Sequence, residues 1–180
     1  MKRIIFFIFV GLIFSLFNYA YGHKKELNKL ETTNECKRCH LKNIDLSGKD
    51  LSEFDFYLTN FIDANLTNTN LSKSYLSLTN LSGANLSGAN LSGANLSYTE
   101  LSGANLVGAK FVGANLEGAD LSGADLSNSN LEGADLSGAN LSGGNLSGAD
   151  LEKSILKKIK IENILFCNTK LPWGIDNSGC

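Results

Sequence analysis

Every fifth residue of this chain is apolar, without a gap, from Leu41 to Leu171. Leucine fills most of these positions; Phe56, Phe61, Phe111, Ile161 and Phe166 are the exceptions. An α-helix advances about 100° per residue, so five residues leave a net rotation of about 140° and the leucines would spiral around it. A flat strand alternates faces at every residue, so an odd period sends successive leucines to opposite sides. Both regular structures fail. What remains is a chain that bends once per quintet, returning each leucine to the same interior.

The flanking positions agree. Two residues before each apolar centre the chain is small, as at Ala84, Ala89, Ala94 and Ala104. Residues two apart share one side of a strand, so this small residue also faces inward. Asn or Asp comes immediately before the centre (Asn85, Asn90, Asp120, Asp125), and Ser-Gly often follows it, as at Ser87-Gly88. Glycine accepts the positive φ that a sharp corner requires. Each quintet therefore reads as a short strand, a corner and a polar outer surface. One such unit buries no core alone; stacked coils bury it together.

The run Leu81-Ser82-Gly83-Ala84-Asn85-Leu86-Ser87-Gly88-Ala89-Asn90-Leu91 resembles the pentapeptide-repeat family, whose motif is A(D/N)LXX. The resemblance covers about residues 41–171. It implies an all-β fold, a right-handed quadrilateral parallel β-helix with four repeats per coil and about seven coils. The number of sides comes from the resemblance, since periodicity alone permits three or five. At about 4.8 Å between paired strands the rod is roughly 32 Å long.

Residues 1–22 read as a secretory signal. Lys2 and Arg3 precede an apolar run from Ile4 to Phe17, and Ala20-Tyr21-Gly22 offers small residues for cleavage after Gly22. The apolar run is shorter than the roughly 20 residues a membrane span needs. The expected location is therefore periplasmic or secreted, with no membrane contact after cleavage. Residues 23–35 form a linker or short capping helix, 36–171 the β-helix, and 172–180 a C-terminal cap. Trp173 is expected to lie across the end of the core as a lid.

Export favours disulfides among Cys36, Cys39, Cys167 and Cys180. Three pairings exist; proximity favours Cys36 with Cys39 and Cys167 with Cys180. The second closes a loop of about 14 residues, worth roughly 3 kcal/mol in the chain-entropy model. Cys36-Lys37-Arg38-Cys39-His40 also matches the attachment motif for a c-type haem, which would make the protein an electron carrier. The repeat phase competes with that reading. Counting back from Leu41, Cys36 falls on a centre and Cys39 two residues before the next, so both face inward as a plug on the first coil. A CxxC before the first repeats and a C-terminal cysteine tail resemble other exported members of the family.

Most outward positions are Ser, Gly, Asn or Asp. With 20-residue coils, Leu58, Leu78 and Tyr98 stack on one face, with Tyr57 and Tyr75 beside them and Ile62 just past the corner. A continuous outward apolar patch marks an interaction site, for another protein or a second copy. Asn65, Asn85, Asn105, Asp125 and Asn145 also stack, and such columns hydrogen-bond along stacked β structures. Lys157, Lys158 and Lys160 form a basic rim at the last coil that deters sheet addition.

Some cytoplasmic members of the family mimic duplex DNA with an acidic rod and bind gyrase. Residues 100–150 hold Glu100, Glu117, Asp120, Asp125, Glu132, Asp135 and Asp150 against Lys110 alone. These acids fall on all four sides, the whole chain is only −2, and the signal leads away from gyrase. No nucleic-acid partner is expected. No nucleophile, base and orienter set occurs, so neither an enzyme nor a metal site is expected. The sequence points to a non-enzymatic scaffold or protein-binding module without a cofactor.

Overall fold

The computed structural model describes residues 24–180. The signal segment and its cleavage point lie outside the described residues. From Glu35 to Lys170, every fifth residue forms a short parallel bridge with the residue 20 positions on, beginning with Glu35 to Asp55 and ending with Asp150 to Lys170. A coil is therefore four quintets, and the chain is a right-handed quadrilateral β-helix.

From Cys36 to Leu151 each corner is built by the same local bonds. The N–H three residues past the centre donates back to the centre's carbonyl, as in Ala84 to Leu81 (3.0 Å) and Ala124 to Leu121 (3.1 Å). The residue two past the centre takes a positive φ, near 66° at Gly83, Gly88 and Gly93. Asn or Asp before the centre caps the corner by accepting from the N–H two residues on: Ser87 to Asn85 Oδ1 is 3.1 Å and Ser127 to Asp125 Oδ1 is 3.0 Å. Such side-chain caps are why Asn and Asp favour turns. The expected ladder along Asn65, Asn85, Asn105, Asp125 and Asn145 is largely replaced by these local caps. Among the described residues, the inter-coil side-chain bond in that column runs from Asn65 Nδ2 to Asp45 Oδ1 (3.1 Å). A capping oxygen also accepts across coils: Asp45 Oδ1 takes both Ser47 N–H and Asn65 Nδ2, and the next column carries a ladder, Asn90 to Asn70 (3.2 Å) and Asn70 to Asp50 (2.8 Å).

The core is the inner column of centres with the small residues beside them. Every centre from Leu41 to Leu151 is buried, as are the alanines. Where threonine replaces alanine, its hydroxyl donates to a carbonyl of the coil below: Thr69 to Leu46 (3.0 Å), Thr79 to Phe56 (2.9 Å), Thr99 to Leu76 (2.7 Å). A buried hydroxyl is tolerated there because it is paired. Phe56 and Phe61 meet edge-on at 5.1 Å between ring centres and fill the early coils.

The ends differ. At the amino end, helix α1 (Lys24–Thr33) buries Leu30 against the core. At the carboxyl end, β1 (Thr169–Leu171) pairs antiparallel with β2 (Gly174–Asp176), and Leu171 stands opposite Gly174. Pro172 and Trp173 form the tip of that hairpin. Trp173 is 73% exposed and is not a lid, because the tight connection turns it away from the core. The register of centres continues to Leu171, but Leu156 and Phe166 are half-buried and Ile161 is 46% exposed. Among the described residues no further coil covers them.

Candidate functional site

The residues singled out at the surface fall into one column. Backbone N–H groups of Leu58, Leu78 and Tyr98 donate to the carbonyls of Ser77, Ser97 and Glu117 in successive coils. The column runs Arg38, Leu58, Leu78, Tyr98, Gly118, Gly138, Lys158, each two residues past its centre. All three apolar members are exposed, Tyr98 at 57%. Tyr57 and Tyr75 are exposed on the same side, and Ile62 is half-buried past the corner. Helix α1 therefore leaves this face open.

These residues hold an unfavourable backbone. Leu58, Leu78 and Tyr98 have φ of 57°, 57° and 56°, at the corner position that is elsewhere filled by glycine or by polar residues such as Asn68, Lys73 and Asn128. A left-handed conformation costs an ordinary residue roughly 1–2 kcal/mol. The ring of Tyr98 lies over Gly118, where an added Cβ would stand 2.6 Å from Cε1. Gly118 thus bounds the patch and gives the ring its seat. At the patch edge Lys37 Nζ lies 3.0 Å from Asp55 Oδ2. The hydrogen bond to Asp55 raises the Lys37 pKa above its usual value, with the carboxylate charge adding to it.

Cys36 and Cys39 are buried, with their sulfurs 2.01 Å apart; Cys167 and Cys180 are joined at 2.14 Å. In this state Cys36 and Cys39 are bonded to each other, not free for thioether attachment to a haem, and His40 is exposed. Among the described residues, no group of His, Cys, Asp and Glu is arranged to hold a metal ion. Five of the acids of residues 100–150 spread over four bridge columns, Glu100 with Asp120 and separately Asp125, Asp135 and Asp150, and Glu117 and Glu132 lie outside them, each one residue past its centre.

The pentapeptide-repeat family profile matches in eight copies, over residues 35–72, 59–97, 74–113, 84–123 and 119–157. The chain belongs to the pentapeptide-repeat family. No curated protein matches it significantly. Among solved structures, this pentapeptide-repeat protein is 32% identical to HetL of the cyanobacterium Nostoc sp. strain PCC 7120, a protein involved in regulating heterocyst differentiation; the match covers 78% of this chain and 75% of HetL, with a TM-score of 0.43. It is 33% identical to Rfr23 of the cyanobacterium Cyanothece 51142, covering 78% of this chain and 97% of Rfr23, with a TM-score of 0.33. A thylakoid-lumen pentapeptide repeat protein of Arabidopsis thaliana is 27% identical over 74% of this chain and 63% of its own, with a TM-score of 0.35.

The column needed the 20-residue coil as well as the quintet. The positive φ beneath it was half-visible in the sequence, as a missing glycine at each of the three positions. The cover that Gly118 gives to Tyr98 had no sequence signal of its own.

Proposed function

We propose that this protein is an exported, non-enzymatic solenoid that binds a protein partner through the face bearing Tyr57, Leu58, Tyr75, Leu78 and Tyr98. One observation carries the reading. Three consecutive coils place a large apolar side chain outward, in a stacked column, on a backbone that favours glycine. Strain and solvent-exposed apolar area both oppose that arrangement in an isolated rod. Burial of the column against a partner offsets both, at about 25 cal/mol per Å² of apolar surface covered. The amino-terminal pattern of basic, apolar and small residues and two paired CxxC-type and tail cysteines support export.

The test is affinity capture from the native envelope, run beside sedimentation velocity, with wild type and a Leu58→Ser/Leu78→Ser/Tyr98→Ser variant. The reading expects a protein captured by wild type and lost with the variant. Identical capture and an unchanged association state reject the face as a binding surface. Mass spectrometry of the mature chain tests export separately: the expected amino terminus is His23, and an intact Met1 in the cytoplasm overturns it.

A further inference from the structure

The chain's own tail seals only part of the carboxyl end. β2 covers β1, Gly179 N–H donates to the Phe166 carbonyl (2.6 Å), and Asn168 N–H donates to Asn177 Oδ1 (2.8 Å). The edge before it, residues 156–164, is left open. One coil below, the N–H groups of Leu136, Gly138, Leu141 and Gly143 donate to the carbonyls of Ile155, Lys157, Lys160 and Glu162 at 2.9, 2.7, 2.8 and 2.7 Å. Their counterparts in the last coil are the N–H groups of Leu156, Lys158, Ile161 and Asn163. Among the described residues, none of these four has an acceptor, and the carbonyls of Ile159 and Ile164 have no donor.

The side chains at this edge are mainly apolar or basic, with the exposed Glu162 the one acid among residues 156–164. Ile161 is 46% exposed at a register position that is interior throughout the coils below, and Ile159 and Ile164 are only partly covered. Lys157, Lys158 and Lys160 stand exposed along the same rim, and none of them joins a salt bridge among the described residues.

We propose that this edge receives an extended acidic segment of a partner protein, paired as an added strand. Along the side from Ile159 to Ile161, a carbonyl of the segment accepts from Ile161 N–H, and an N–H of the segment donates to the Ile159 carbonyl. The segment's inward side chain covers Ile161, and its outward carboxylates meet the three lysines. Main-chain bonds supply attachment, and charge selects the partner. Two other occupants fit less well. A second copy brings like-charged lysines face to face, which is how edges discourage self-pairing. A lipid surface supplies no partner for the open backbone groups, which apolar surroundings penalise. This site lies at the rod's end, separated from the Tyr98 column by Gly118 and Gly138, and stands without the lateral reading.

The experiment uses the mature full-length protein, amide-resolved NMR and a labelled hexapeptide of alternating glutamate and valine. Saturable shifts confined to the amides of residues 156–164 are expected. A glutamine–valine peptide is expected to bind at least 10-fold more weakly. A Lys157→Gln/Lys158→Gln/Lys160→Gln variant, altered only at exposed side chains, is expected to lose at least 10-fold for the acidic peptide. Ile161→Pro, which removes one donor, is expected to lose binding while Lys158 and Lys160 remain. Absence of shifts at these amides overturns the proposal, as does equal binding by the lysine variant. Two further results also overturn it: a dimer through this edge that excludes the peptide, or binding to phosphatidylglycerol vesicles in place of the peptide.

Discussion

Leu78 shows how a single residue sets stability against surface. Its φ of 57° is easy for glycine and costly for leucine. Leu78→Gly is expected to raise stability by about 0.5–1 kcal/mol, because relief of strain exceeds the added freedom of the unfolded chain. Leu78→Ala keeps the Cβ and is expected to give no such gain. Denaturant midpoints of the two variants check this; a Leu78→Gly variant less stable than wild type shows that the leucine packs usefully on its own rod. Gly118 makes the complementary case. Gly118→Ala forces the Tyr98 ring from its seat, and is expected to destabilise by about 1 kcal/mol or more, since the new Cβ also lies at positive φ. Tyr98→Ala in the same chain is expected to remove the steric part of that loss but not the backbone part.

At the scale of the corner, carboxylates do measurable work. Asp45 is held below its ordinary 3.8 by the Ser47 backbone N–H, then by the Ser47 side chain. Asp50 and Asp135 are lowered first by the hydroxyls of Ser52 and Ser137, then by the backbone N–H groups of the same residues. A carboxyl depressed in the folded state contributes stability above its unfolded pKa, and that contribution is lost as pH falls through the folded pKa. The rod is therefore expected to lose stability as pH drops below about 4. Asn keeps the Oδ1 acceptor without the charge. A D45N/D50N/D135N variant is expected to show a flatter decline in urea midpoints between about pH 5 and pH 2.5. An identical decline shows that these corners do not couple protons to folding. The hairpin is different: Trp173 is exposed at its tip, so Trp173→Ser is expected to change stability by less than about 0.5 kcal/mol.

For the whole molecule, the coil length turns sequence distance into neighbourhood. Deleting residues 101–120 removes one full coil, and everything downstream keeps its side. Deleting residues 86–90 also keeps every leucine inward, but rotates the downstream chain by one side, so Tyr98 leaves the column of Leu58 and Leu78. Both deletions are expected to fold, since each coil contacts only its neighbours. The five-residue deletion is expected to lose partner capture, and the 20-residue deletion to retain it. Equal capture by both shows that the stacked column is not the recognised feature. Circular dichroism confirms folding before capture is compared.

Read alone, the sequence determined which residues face in and which face out. It also placed the bend in each quintet and put Cys36 and Cys39 on the interior phase. Those properties are local: alternation across three residues, a glycine at the corner and an Asn or Asp cap just before it. Tertiary structure decided what lies beside what. The stack of Leu58, Leu78 and Tyr98 depends on four sides per turn, which a period of five does not specify. The caps at Asn85 and Asp125 hold their own corners, while the side-chain ladder runs through the neighbouring column of Asp50, Asn70 and Asn90. Trp173 points to solvent because Leu171 pairs with Gly174, a tight reversal invisible to the repeat. Ile161 keeps perfect register yet stands exposed, because burial of a centre requires a neighbouring coil on both sides, and among the described residues none covers it.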